Sequence, residues 1–296
     1  MLNKEPIFVN GFQRGGTNIL MQLITSHPQV RVLGGEMHEI FYGRDSQPIQ
    51  KWLRRLTCIP VLLSTRQHTF WPYRYYERRA LPTAVGHYVD LLFYFHKLIA
   101  YNPRYDNGRA HPTWADKGKT RMACKCVNGV VLTTPLLAEM YPDATFVALV
   151  RNGLALCEGF MRRGWSAERF GRMYQTVCDQ ILHDAGQMEN YHIIRFEQLM
   201  ADPTATVRQL YGMVGLDVQE TAKFKLQAKK LMGQDGQRGY NFGAKEKELV
   251  YVALDELGSY LRQDVNDNQI ARLADADKTA FLQEAQAAMN AFGYLS

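Results

Sequence analysis

At 296 residues and 46% hydrophobic content, the chain is long enough to bury one large α/β core, or such a core carrying a helical insertion. The net charge of +6 suits an acidic ligand, yet the basic residues are scattered, with no like-charge run that would read as a nucleic-acid tail. Five cysteines, odd in number and unpatterned, favour a reducing compartment over a disulfide scaffold.

The opening MLNKEPIF lacks the apolar core of a signal peptide, and the longest apolar run, around Val89 to Ala100, is broken by His96 and Lys97. Neither export nor a membrane span is expected, and the chain reads as cytoplasmic. Ile7, Phe8 and Val9 predict a buried strand, Gly11 to Gly16 a tight loop, and Thr17 to Ile24 a helix with Leu20, Leu23 and Ile24 on one face. A strand, a glycine loop and a helix N-terminus make an anion cradle, because the first N–H groups of the helix lack internal partners and the dipole is positive there. Gly11-x4-Gly16 has the spacing of a nucleotide P-loop, but Thr17 and Asn18 stand where such a loop carries Lys and a magnesium-binding Ser or Thr. The cation, Arg14, sits inside the loop instead. This pattern fits a phosphate-like anion held without a metal, or simply a tight βα turn.

Val30 to Leu33 predict a second strand, ending in Gly34-Gly35-Glu36-Met37-His38-Glu39. At the rim of an open sheet Glu36 is placed to act as a general base, with His38 as the fallback; the competing reading is a first-turn helix acid. Residues 41–120 are rich in Arg, Tyr, Trp and Pro, and only Ala84 to Tyr101 has helical apolar spacing. The segment reads as an insertion over the sheet mouth that sets acceptor specificity, or as a solvated helix pair with inward tyrosines. The core resumes at Arg121 to Val127, where Lys125 faces away from Cys124 and Cys126. Those two cysteines have no second pair to complete a zinc site. Thr134 and Pro135 read as the cap and first residue of a helix. Ala144 to Val150 reads as a buried strand delivering Arg151 to a ligand at the crevice, or to an ion pair at the sheet edge, followed by Asn152, Gly153 and a helix from Leu154 to about Arg162. Ser166 to Met188 predicts an amphipathic helix, Tyr191 to Phe196 a strand, and Asp202-Pro203 the start of another helix. Residues 232–242, with Gly233, Gly236, Gly239 and Arg238, read as a loop, and Asp277 to Phe292 as a docking helix. No repeat or linker is visible, so 1–296 is read as a single domain.

Taken together, these segments resemble the sulfotransferases that use 3′-phosphoadenosine 5′-phosphosulfate, most of all the branch containing tyrosylprotein and many bacterial small-molecule enzymes. IFVNGFQRGGTNIL resembles that family's 5′-phosphosulfate loop, and TSHPQVRVLGGE the following segment with its glutamate base. ACKCVNG resembles the strand with a lysine near the sulfonate, ATFVALVRNG the strand bearing the 3′-phosphate arginine, and IIRFEQLMADP the element usually opening on tyrosine. RQDVNDNQIARL and the last helix also read like this group. The chain departs from the pattern in five places, one of them a spacing: Lys125 lies one residue further from Arg151 than the tyrosylprotein pattern suggests. Gly15 replaces the loop serine, Asn18 the second threonine, Gly159 the serine after the arginine, and Phe196 the tyrosine.

The resemblance implies an α/β fold, a P-loop-like parallel sheet flanked by helices with a mostly helical insertion over the active site. It implies transfer of a sulfonate from 3′-phosphoadenosine 5′-phosphosulfate, with adenosine 3′,5′-bisphosphate as product and no metal required. Glu36 would be the base, Lys125 would steady the sulfonate, and Arg14, Gly15, Gly16, Thr17 and Asn18 would hold the 5′ end. Arg151, with Arg238 and the segments around Gly159 and Phe196, would hold the rest of the donor. The expected acceptor is a hydroxyl or amine of a small molecule such as a natural product, an alkaloid-like toxin included. Neither nucleic acid nor membrane is an expected partner, and a homodimer is left open. Rival readings are an ATP-dependent phosphotransferase, a protein-tyrosine or glycan sulfotransferase, and a non-catalytic polyanion binder.

Overall fold

The computed structural model describes residues 1–33, 36–37, 66–70, 73–77, 83–99, 114–229, 247–261 and 264–295. Five strands form the central sheet: β1 (Ile7–Gly11), β2 (Val30–Val32), β5 (Arg121–Val127), β6 (Thr145–Val150) and β7 (Tyr191–Arg195). They run in the order β2-β5-β1-β6-β7, and every pairing is parallel. Because β1 lies between β5 and β6, the chain leaves it in opposite directions on its two sides, and the loop after β1 opens at that switch point.

Both faces of the sheet are covered, which is why β1 carries the apolar run Ile7 to Val9 and β6 the run Phe146 to Val150. Ile7 and Val9 point into a core shared with α1 (Thr17–Thr25), α7 (Phe196–Ala201) and α8 (Pro203–Met213). Phe8 and Phe146 point the other way, with ring centroids 5.2 Å apart, into a core shared with α6 (Ala167–Gln187) and α11 (Asp275–Ala291). The amphipathic helix expected over 166–188 is α6, and its apolar face is Phe170, Met173, Tyr174, Val177 and Ile181, all buried, with Phe170 stacked on Phe281 of α11 at 5.8 Å. The helix α5 (Gly153–Met161) follows β6 and is capped by Asn152, whose Oδ1 accepts from the N–H of Leu154 at 3.0 Å.

Three features differ from the sequence reading. Two antiparallel hairpins are present, β3 (Arg66–Phe70) with β4 (Tyr73–Glu77), and β8 (Phe224–Lys229) with β9 (Lys247–Val252). The first hairpin lies within the 41–120 segment beside α2 (Thr83–Ile99) and α3 (Trp114–Lys119) in chain order, and β4 runs next to the 3₁₀ turn Asn128–Thr133 that follows β5. Thr134 is not a helix cap. It is already the first residue of α4 (Thr134–Met140), and its hydroxyl donates to Val131 O at 2.7 Å while accepting from Asn10 Nδ2 at 2.9 Å. A 3₁₀ turn running straight into α4 removes the need for a side-chain cap there. Asp90 of α2 joins the N-terminal segment to the core, accepting from Asn3 Nδ2 at 2.8 Å and from the Tyr141 hydroxyl at 2.9 Å. Among the described residues no helix is long and apolar enough to cross a membrane.

Candidate active site

The loop between β1 and α1 is shaped by backbone strain at two positions. Arg14 sits at φ 67 and Gly16 at φ 92, both left-handed. At Gly16 a side chain is doubly excluded, because a Cβ would lie 2.6 Å from the Phe196 ring. The turn closes through Gly15 N–H to Phe12 O at 3.0 Å, and α1 begins with Ile19 N–H to Gly16 O at 2.8 Å. A side chain from the far side fixes the entry: Asn128, itself at φ 57, accepts the Gln13 N–H on its Oδ1 at 3.0 Å. The Arg14 side chain is exposed on this loop. Partial burial, then the neighbouring Arg163 and Arg162 charges, hold its guanidinium below the ordinary value.

Lys125 projects from the middle of β5, which pairs with β1 so that Lys125 stands beside Val9. Its ammonium is buried and reaches two groups: Glu36 Oε1 at 2.5 Å and Asn18 Oδ1 at 2.5 Å. The sheet thus brings a carboxylate, an ammonium and the first turn of α1 to one point at the mouth of the loop. Cys124 and Cys126, pointing the opposite way, are buried free thiols in the apolar core. A hydrogen bond made by the Cys126 thiol with Cys124, followed by burial, raises that thiol well above its ordinary value.

Arg151, at the tip of β6, is nearly enclosed at 4% exposure. Its Nη1 donates to the carbonyl of Arg14 at 2.6 Å, its Nε to Asn266 Oδ1 at 2.8 Å, and its Nη2 to Gln269 Oε1. The guanidinium lies 4.4 Å above the Phe196 ring, the same ring that packs on Gly16. Burial pushes it down to about 10, against the pull of Glu197 and Glu158. Gly159 of α5 faces this cluster: a Cβ there would lie 3.8 Å from the Arg14 stem and 3.8 Å from Gln269 Nε2, an ordinary contact. Glu158, also buried, accepts from Gln269 Nε2 at 3.2 Å and pairs with Arg162 at 2.9 Å and Arg272 at 3.4 Å.

Two groups of expected residues are therefore assembled. Glu36, Lys125 and Asn18 meet on one side of the loop; Arg151, Arg14, Gly159 and Phe196 meet on the other. Gly15, Gly16 and Thr17 lie between them in the loop and at the start of α1. His38 and Arg238 fall outside the described residues. Sequence reasoning missed Asn128, Glu197, Asn266 and Gln269. The last two stand one helical turn apart on α10 (Val265–Ile270), which follows the short α9 (Leu257–Tyr260), and that spacing was the available signal. Next to Phe196 a cleft of about 360 Å³ is lined by Phe196, Glu197, Met200, Ala201 and Asn266. Among the described residues no group of His, Cys, Asp or Glu is arranged to hold a metal ion.

A profile described as "Sulfotransferase family" matches residues 6–220, well over half of the chain. The chain belongs to the sulfotransferase family. The fold of this sulfotransferase is similar to that of the sulfotransferase domain from the curacin biosynthetic pathway, with a TM-score of 0.53 at 13% identity, covering 99% of this chain and 98% of that one. It is also similar to the sulfotransferase domain of the Synechococcus PCC 7002 olefin synthase, with a TM-score of 0.51 at 15% identity, covering 99% and 97% of the two chains. No curated protein sequence is similar enough to count as a match.

Proposed function

We propose that this sulfotransferase moves a sulfonate from 3′-phosphoadenosine 5′-phosphosulfate to a hydroxyl or amine of a small-molecule acceptor, with Glu36 as the base. The observation that carries the reading is the Glu36–Lys125 pair, 2.5 Å apart and joined through Asn18 to the start of α1. A base and a cation beside an anion loop are the parts that in-line displacement at sulfur requires. Glu36 takes the acceptor proton as the acceptor's oxygen or nitrogen bonds to sulfur. The bond from sulfur to the phosphate oxygen breaks, and that oxygen leaves with the electron pair as part of adenosine 3′,5′-bisphosphate. Lys125 turns from Glu36 toward the sulfonate oxygens, and Arg14 with the first N–H groups of α1 receives the charge growing on the 5′-phosphate. Base catalysis of this kind is typically worth about 10²–10⁴-fold, and alignment of the two substrates supplies much of the remainder.

Arg151 anchors the 3′-phosphate side, and the cleft beside Phe196 is of a size and polarity to take the adenine ring. Residues 41–120 form the acceptor side, a placement supported by β4 running next to the turn after β5. One similar fold comes from the curacin biosynthetic pathway and another from an olefin synthase, which supports a natural-product acceptor.

The test is a titration of Glu36→Gln with adenosine 3′,5′-bisphosphate alongside turnover with a panel of phenols, alcohols and amines. Donor-side affinity should stay within about twofold of wild type while turnover falls by about 10²-fold or more. Full turnover in the variant would remove Glu36 from the base role, and wild-type protein that ignores the bisphosphate would sink the donor assignment.

A further inference from the structure

The end of α11 reaches the same arginine by a second route. The helix stops where Gly293, at φ 69, donates its N–H to Asn290 O at 2.9 Å and Tyr294 donates its N–H to Met289 O at 2.9 Å. That reversal turns the Tyr294 hydroxyl inward, where it donates to Glu197 Oε2 at 2.8 Å. Glu197 Oε1 accepts from the N–H of Asn152 at 3.0 Å and from Asn266 Nδ2 at 2.6 Å. Asn266 then accepts from Arg151 Nε on its Oδ1 at 2.8 Å. The amide orientation of Asn266 is fixed by chemistry, since a carboxylate only accepts and a guanidinium only donates. One carboxylate thus holds both the main chain directly after Arg151 and the side chain that aims its Nε.

We propose that Glu197 and Tyr294 are positioning residues that aim Arg151 at the 3′-phosphate of the donor, an inference that rests on the donor reading above. Arg151 has five N–H groups, and its bonds to Arg14, Asn266 and Gln269 use one on each nitrogen. The second N–H on each terminal nitrogen is left for a phosphate. Their direction follows the plane of the guanidinium, which the Asn266 contact at Nε sets from the α10 side together with Gln269 at Nη2. Without the Tyr294 hydroxyl, Glu197 can rotate toward the open cleft it lines, taking Asn266 and the Asn152 backbone with it. The larger effect falls on recognition of the 3′ group, because the bond from Arg151 Nη1 to the Arg14 carbonyl does not pass through Asn266 or Glu197, and the 5′-phosphate loop is held also by Asn128 and by the start of α1.

The test compares wild type, Tyr294→Phe, Glu197→Ala and Glu197→Gln by calorimetric titration with adenosine 3′,5′-bisphosphate and with adenosine 5′-monophosphate. Tyr294→Phe and Glu197→Ala should weaken bisphosphate binding roughly five- to tenfold and monophosphate binding by less than about twofold, the loss expected when one bond in a charged chain goes. Glu197→Gln keeps an oxygen for Asn152 and Asn266 and can donate its amide to the Tyr294 oxygen, so it should recover most of the preference. Equal losses for both nucleotides, or none, overturn the proposal, because a purely structural role would not sort ligands by their 3′ group. Should Glu197→Ala fail to fold, Tyr294→Phe alone decides. Wild-type protein with no preference for the bisphosphate is a different outcome, one that fails the donor reading itself.

Discussion

Replacing Arg151 by lysine tests whether the guanidinium is the strut that holds the loop. In the native protein it donates to the Arg14 carbonyl at 2.6 Å, to Asn266 at 2.8 Å and to Gln269, three acceptors on three sides of a planar fork. An ammonium at the end of a lysine keeps one of these and forfeits the other two. Hydrogen bonds to a charged group are worth about 1.5–3 kcal/mol each, and water reaches half-buried Asn266 but not Gln269, so the net loss is about 2–4 kcal/mol. Losing the ring contact with Phe196 adds about 0.5–1 kcal/mol. At about 2 °C per kcal/mol for a chain of this size, Arg151→Lys should melt about 5–10 °C below wild type. Scanning calorimetry reads the melting temperature, and hydrogen exchange reads the amides of Gly15, Ile19 and Leu20, whose bonds close the turn and start α1 and which should lose protection in step. A variant that melts within about 2 °C of wild type with unchanged loop exchange would refute the strut, leaving Arg151 a ligand contact at most.

Three further outcomes are expected. Gly16→Ala should lower stability by about 1–3 kcal/mol and weaken bisphosphate binding, since the new methyl meets both a left-handed backbone and the Phe196 ring; a variant with wild-type denaturation and affinity would contradict that crowding. Asn128→Gly keeps the left-handed backbone but drops the bond to Gln13, so it should cost about 1 kcal/mol in urea unfolding and raise the donor KM with little change in kcat; an unaltered KM would mean that the loop entry is fixed elsewhere. Burial pushes the Asp184 carboxyl up to about 6, so the native state favours its protonated form: its contribution to stability is full below about pH 4 and is lost as pH rises through about 6. Asp184→Asn should accordingly be more stable than wild type at pH 8 by up to about 3 kcal/mol, with no advantage at pH 4, and equal unfolding midpoints at pH 8 would reject the buried-acid account.

What could be read in the sequence was local. The apolar run 144–150 is short, rich in β-formers and bounded by Asp143 and Arg151, which suits a strand covered on both faces, and the stripe on α6 repeats at helical intervals from Phe170 to Ile181. The glycine loop was legible because its conformation leaves a chemical trace: Gly16 is the residue that both the left-handed backbone and the Phe196 ring demand. The hairpins were not, because β8 and β9 are separated by a long connection and mix lysine and glutamine with apolar residues, so neither carries a pattern without its partner. The same holds for the polar groups around Arg151. Asn266, Gln269 and Glu197 are ordinary surface residue types, and their meaning comes from tertiary distances that join positions more than forty residues apart. Thr134 misled for a related reason: its hydroxyl was claimed by Asn10 across the sheet rather than by the helix it starts.

The grip on Arg151 also has an order in time. Arg14 and Arg151 leave the ribosome well before Asn266, Gln269 and Tyr294, and the family-wide pattern itself ends at residue 220. A nascent chain can therefore close its sheet and form the glycine turn while the arginine still lacks two of its three restraints. On the donor reading proposed above, the aim of Arg151 is completed last, with the final helices, so a product cut short of them would present the arginine without those restraints.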